Sequence, residues 1–455
     1  MASPQIYSPL IKIALPIIFI QVCQASLGLF DTLIAGRYHF QHLAAVGLGS
    51  NLWTPVITLA TGVLYALIPK ISSCASQRDF AQMQTLYQHG KHNAIKLMAF
   101  GFITIHLLAF FCPYFIADPE VAMITRRYLH FVAFAVPGLM YMVLNRFFCE
   151  GNSRFAPVVI TTVIISVLNV SLNVVLVNGL YGLPKFGGAG CGLATAISVT
   201  LGAGVIHYLS RRQLRFAFPA SGLQVDKRET KTMFKEGLPI GIAIVVEIIA
   251  LSLLAFFASN LGTKVIAAHQ VAINIAIVVF MIPLALGAAA TIRIAHFRAK
   301  KQNHNVVRTR NASLLLTLVY GALMAGAILM LLPPFTTLFS HDVQVVTMIS
   351  TLLVYIAVFQ FVDALLIVAS SILRGVEEFI KPLLAIFCAY WLFILPFSYV
   401  IGVKGWWVNS PGIETIWALL IVGISVAASL LILQARQHTH ALPDINSPQQ
   451  ALKNG

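Results

Sequence analysis

The sequence predicts an all-α integral membrane protein of twelve transmembrane helices, arranged as two pseudo-symmetric six-helix bundles. Three observations carry that prediction. Apolar residues make up 58% of the 455 positions and charged residues only 10%, whereas a soluble domain is about a quarter charged. Uncharged runs of about 18 residues or more, the length a bilayer-spanning helix requires, recur along the whole chain. The cations fall almost entirely on one side of those runs.

The first span, 13–35, carries Asp31 and has no small-residue cleavage site, so it reads as a retained helix rather than a signal peptide. Uncharged spans follow at 38–69, 97–117, 128–145, 155–184 and 186–210. The longest polar gap, 211–236, then lies near the middle of the chain and reads as a cytoplasmic linker. Beyond it come 237–263 with Glu247, 265–292, 311–341, 343–373 with Asp363, 382–403 and 415–435. Pro16 and Pro239 fall near the starts of spans 1 and 7, where a missing N–H costs little. The expected organisation is an N-terminal lobe 1–210, the linker 211–236, a C-terminal lobe 237–436 and a polar cytoplasmic tail 437–455. No stretch remains for a second, water-soluble domain.

A net charge of +15 raises the question of nucleic acid, but the cations report topology instead. With the N-terminus in the cytoplasm, only Arg37, Arg126, Arg127, Lys185, Lys264 and Lys404 lie outside, and every other Lys and Arg lies inside. By the positive-inside rule both termini are cytoplasmic, and no nucleic-acid partner is expected. The six cysteines show no C-x-x-C and the histidines no H-E-x-x-H, so no disulfide framework or zinc site is implied. No nucleophile–base pair lies within a span, which argues against an enzyme and against a bound cofactor.

The two halves are related. A shift of 223 superimposes Leu15-Pro16-Ile17 on Leu238-Pro239-Ile240, Ala44-Ala45 on Ala267-Ala268 and Asn51 on Asn274. A shift of 224 brings Gly151 onto Gly375 and Phe155 onto Phe379. An even number of spans per half makes the copies parallel, and a substrate pathway is expected between such bundles.

Of the 15 acids, all but Asp31, Glu247 and Asp363 fall in loops, tails or helix ends. A carboxylate inside a span costs several kcal/mol unless it is protonated, paired or hydrated, so these three are the candidate functional groups. Polar stripes accompany them. Gln21, Gln24, Gly28 and Asp31 share a face of span 1, and Thr162, Ser166, Asn169 and Asn173 a face of span 5. In span 10, Gln360, Asp363, Ser370 and Arg374 align, and span 8 offers Gln270 and Asn274 one turn apart. Single Ser or Thr residues in such stripes serve equally well as interhelical glue. Oxygen donors of this kind suit Na⁺ or a proton rather than a soft transition metal. The halves are not equivalent here, because Asp31 maps to position 254 and Asp363 to Leu139.

Several segments then resemble a known family. GLFDTLIAGRYHFQHLAAVGLGSNLWTPV (28–56) resembles the first two helices of the NorM branch of the MATE, multidrug and toxic compound extrusion, transporters. The segment 246–296, beginning VEIIALSLL, resembles helices 7 and 8 of that branch, QFVDALLIVASSILRG (360–375) its helix 10, and GGAGCGLATAI (187–197) also fits. The likeness runs from about residue 8 to 436.

The resemblance implies a V-shaped pair of lobes in a bacterial inner membrane, exporting amphipathic cationic drugs or dyes in exchange for Na⁺ or H⁺ by alternating access. It implies drug resistance, contact with membrane lipids, a monomer, and no cofactor beyond the coupling ion. By motif match Glu247 and Asp363 fall on the C-lobe acids tied to cation coupling and drug recognition. Asp31 falls on the N-lobe acid, with Asn169 and Asn173 beside it. Na⁺ is expected at Glu247, Asp363 or Asp31, with Gln270, Asn274 and Gln360 as neutral donors. Phe359 stands where some relatives carry a tyrosine near the cation site, which leaves H⁺ open. The alternative within the superfamily is a lipid-linked oligosaccharide flippase, but its anionic cargo calls for a cationic cavity, and the charges inside these spans are acidic.

Overall fold

The structure, a computed structural model, describes residues 4–215, 218, 226–331, 343–406 and 412–440. Among the described residues there are helices and no strands. In chain order these are α1 (Pro4–Tyr38), α2 (Phe40–Tyr65), α3 (Leu67–Gln77), α4 (Phe80–Phe111), α5 (Pro119–Ala133), α6 (Ala135–Gly151), α7 (Ala156–Asn178) and α8 (Ala189–Gln213). The second half holds α9 (Lys227–Ser259), α10 (Thr263–Ala299), α11 (Asn303–Leu331), α12 (Val343–Gly375) and α13 (Ile380–Phe387). It ends with α14 (Leu395–Phe397), between the π-helical segments Cys388–Ile394 and Ser398–Val403, and α15 (Ile413–His440).

Eleven helices among the described residues are long and apolar enough to cross a membrane, and the twelfth span is the bent pair α5–α6. The two members meet at 45° around Phe134. Pro137, in the first turn of α6, has no N–H to bond back into α5, so the ladder breaks there. The span expected at 128–145 is thus the inner part of a longer element that begins at Pro119, where Asp118 accepts from the N–H groups of Glu120 and Val121.

The repeat is visible in the helix starts. Phe40 and Thr263, and Phe80 and Asn303, are each 223 positions apart. Ala156 and Ile380, and Ala189 and Ile413, are each 224 apart. The packing repeats as well. A Cβ on Gly151 would stand 2.8 Å from the Ile71 side chain and 3.0 Å from the Ile68 carbonyl oxygen. A Cβ on Gly375 would stand 2.9 Å from Ile294 and 3.1 Å from the Thr291 oxygen. Both contacts lie at corresponding positions, and only glycine allows backbones so close.

The chain forms two compact units, Phe19–Gly241 and Met1–Ile18 with Ile242–Gly455. They differ from the lobes drawn from spans alone, 1–210 and 237–436, by the first parts of α1 and α9. Leu10 and Ala14 of α1 are buried with Ala289 and Ala312 of the second half. Gly237 and Gly241 of α9 lie so close to α2 that a Cβ on either would collide with the backbone of Val63 or Leu59. His89 Nδ1 pairs with Thr230 Oγ1 at 2.7 Å, Asn93 donates to the Thr230 carbonyl at 3.0 Å, and Lys70 meets Glu236 at 2.8 Å. The C-terminal part of the expected linker is therefore helical and packed, and residues 441–455 of the expected tail lie outside the described residues.

Candidate functional site

Each unit holds its own cluster. In the unit Phe19–Gly241, Asp31 on α1 is buried and accepts a 2.5 Å hydrogen bond from the Asn173 amide. The same amide donates to Asn169 Oδ1 at 3.0 Å, because the two asparagines stand one turn apart on α7. Asn169 in turn donates to Thr195 Oγ1 on α8 at 3.2 Å. Asn173 Oδ1 and Ser166 Oγ are buried and have no protein partner. One carboxylate thus sits among neutral oxygens, two of which are uncommitted. Thr162 is buried on the same helix.

The polar face of α1 continues to Gln24, and there the structure adds what the sequence concealed. Arg146 donates through Nη1 to Gln24 Oε1 at 3.0 Å and through Nε to Glu150 Oε1 at 2.7 Å. Glu150 is 1% exposed. It lies at a helix end, as expected, and there, in the last turn of α6, it is the buried half of an i,i+4 ion pair. The buried pair needs each partner, since removing one leaves an uncompensated charge.

In the second unit, Glu247 on α9 accepts a 3.4 Å hydrogen bond from the hydroxyl of Tyr390. The neighbouring Trp391 donates to the Val246 carbonyl at 3.2 Å. Both come from the π-helical segment that follows α13, whose wide turn lets consecutive side chains reach consecutive residues of α9. Asp363 on α12 is buried and interacts electrostatically with both Glu247 and Tyr390. Its Oδ1 has no protein partner. Arg374, counted among the cytoplasmic cations, is also buried, and its charge acts on Glu247. Two carboxylates that repel one another within the spans call for a proton or a metal cation to offset the repulsion.

The neutral residues expected beside these acids separate. Gln360 is buried, one turn from Asp363, and donates to the Ala276 carbonyl at 2.9 Å while its Oε1 stays unpartnered. Gln270 and Asn274 are exposed side chains of α10, outside the buried cluster. Phe359 packs edge-on against Trp417 at 5.5 Å, and Trp417 donates to His269 Nδ1 at 3.2 Å. The aromatic position ahead of Asp363 is therefore core, and the hydroxyl near the carboxylates comes from Tyr390. Tyr390 was missed because nothing distinguishes it within an uncharged run.

A model of the MatE family matches residues 16–175 and 239–400, one match in each half. The chain belongs to the MatE family. This MatE protein is 31% identical over 431 residues to the multidrug resistance protein NorM of Vibrio vulnificus, covering 93% of this chain and 94% of that one. It is 30% identical over 437 residues to the multidrug resistance protein MdtK of Pectobacterium atrosepticum, with 93% and 94% covered. Its fold matches the outward-facing structure of a multidrug resistance MATE family transporter with a TM-score of 0.85 at 19% identity, covering 96% of each chain. Asp31 lies within the first matched segment, and Glu247, Asp363 and Tyr390 within the second.

Proposed function

We propose that this MatE protein is a secondary active multidrug antiporter that exports amphipathic cationic compounds in exchange for Na⁺ or H⁺. The observation that carries the reading is Asp363, whose buried carboxylate interacts electrostatically with Glu247 and has an oxygen without a protein partner. A cation or proton held there satisfies both acids, and a cationic drug does the same. Each ligand therefore weakens the other by the same factor, which is the thermodynamic requirement for exchange. Alternating access carries the two ligands in opposite directions. Asp31 with Asn173 and Asn169 forms the second acidic site, in the other unit. The names of the NorM and MdtK relatives support drug export, and the one-sided cations support an inner-membrane orientation with both termini cytoplasmic.

The test is ethidium efflux from everted or reconstituted vesicles under an imposed Na⁺ gradient and, separately, a pH gradient. Wild type is expected to move dye on one of them, and that gradient names the ion. The isosteric Asp363→Asn should lose the gradient-driven component while remaining folded and inserted. If inserted wild type moves no dye on either gradient, cationic drug export is refuted and lipid-linked cargo is next.

A further inference from the structure

A cleft in the second unit lies between the α13–π segment and α15, with none of the three span acids in its lining. It has a volume of about 430 Å³. Its walls are almost wholly apolar, with Leu384, Phe393, Val426 and Leu430 along its length and Lys381 and Gln434 at one end. Leu384, Val426 and Leu430 are all exposed, so the cleft opens to the surroundings of the helices rather than into the core.

Its dimensions and polarity match one leaflet of a bilayer. From Lys381 to Phe393, and from Gln434 back to Val422, each wall runs twelve residues, or about 18 Å at the rise of a helix. Half of a hydrocarbon core is roughly 15 Å. At the polar end, Lys381 at the start of α13 stands directly beside His438 in the last turn of α15. Arg436 is exposed on the same turn. Among the described residues no carboxylate lies within ion-pair distance of Lys381 or His438. Gln434 lines the cleft one turn from His438, and its buried Oε1 has no protein partner. Basic groups close together without an acid call for an anion from elsewhere.

We infer that this groove is a binding site for an anionic phospholipid, with one acyl chain along α13 and α15 and the phosphate held by Lys381 and His438. The π-helical turn at Cys388–Ile394 widens the wall where the chain lies. The site is separate from the carboxylate clusters and does not depend on what is transported.

Native mass spectrometry of the full-length protein, titrated with phosphatidylglycerol or phosphatidylcholine, tests this. The anionic lipid should be retained about fivefold better, the worth of one basic side chain against an anionic head group. Lys381→Gln should abolish that preference. Val426→Trp keeps the cations but fills the groove from its exposed rim, and should also remove the bound lipid. Lys185→Gln, an exposed cation remote in sequence, should leave retention unchanged. Equal retention of the two lipids by wild type overturns the inference. So does an undiminished preference in either Lys381→Gln or Val426→Trp, both of them surface changes that leave the core intact.

Discussion

Replacing Gly237 by alanine tests the closest approach of a neighbour to a glycine among the described residues. A Cβ at this position would collide with the Val63 carbonyl oxygen and stand 2.7 Å from the carbonyl carbon and 2.9 Å from the Cα, against an ordinary contact of at least 3.4 Å. The helices must therefore part by more than about 0.7 Å, and because the neighbour is backbone, no rotamer change relieves the clash. Alanine gains about 1 kcal/mol in helix propensity over glycine, while overpacking costs about 1–3 kcal/mol. The net effect is a destabilisation of about 1 kcal/mol, or roughly 2–4 °C in Tm for a unit of this size. The matched control is Gly204→Ala, where a Cβ meets nothing within 4 Å. Cys74, Cys112, Cys149 and Cys191 are buried in the same unit as Gly237, so thermal unfolding followed with a thiol-reactive dye reports its opening. Gly237→Ala should melt below wild type and Gly204→Ala should not. A Gly237→Ala protein as stable as the Gly204→Ala control would refute the close approach of α9 to α2.

Two further outcomes follow from the polar clusters. Asn173→Ala removes the donor held 2.5 Å from Asp31, a bond to a charged group worth about 1.5–3 kcal/mol; gradient-driven dye efflux should fall by about tenfold or more, and an inserted variant working within twofold of wild type would count against the Asp31 site. Glu150→Gln breaks the buried pair with Arg146 and should cost about 3–5 kcal/mol, seen as loss of folded protein on size exclusion. Lys70→Gln, at a half-exposed pair with Glu236, should cost under about 1 kcal/mol.

The fold was legible because uncharged runs and one-sided cations are properties of the chain itself. The Asp31 cluster was legible for a related reason: Asn169 and Asn173 fall one turn apart, and regular helices convert that spacing into a shared face. The second cluster was only half legible. Glu247 and Asp363 stand out as acids in apolar runs, but Tyr390 lies within a π-helical segment, and that wide turn shifts the angular register on which face assignments depend. Gln270 and Asn274 share a face as expected, yet periodicity does not say which way the face points, and it is exposed. Position in the sequence sets Glu150 at a helix end but not how deeply it sits; its burial depends on α6 continuing to Gly151.

The two halves diverge in a way that explains why their sites differ. Backbone packing is retained where there is no room to vary, as at Gly151 against Ile71 and Gly375 against Ile294. One residue earlier, the same slot holds Glu150 in one half and Arg374 in the other, both buried in the last turn of their helices. Glu150 is matched by Arg146 within its own turn, so that pair adds no net charge near Asp31. Arg374 instead acts on Glu247, a residue of another helix. The position of Asp31 is taken in the second half by Leu254, and that of Asp363 in the first half by Leu139. Duplication therefore supplied the scaffold twice, while each polar interior was set by its own substitutions. Asp31 already has an amide donor, whereas Asp363 keeps an unpartnered oxygen and shares its surroundings with a second acid that Arg374 partly offsets.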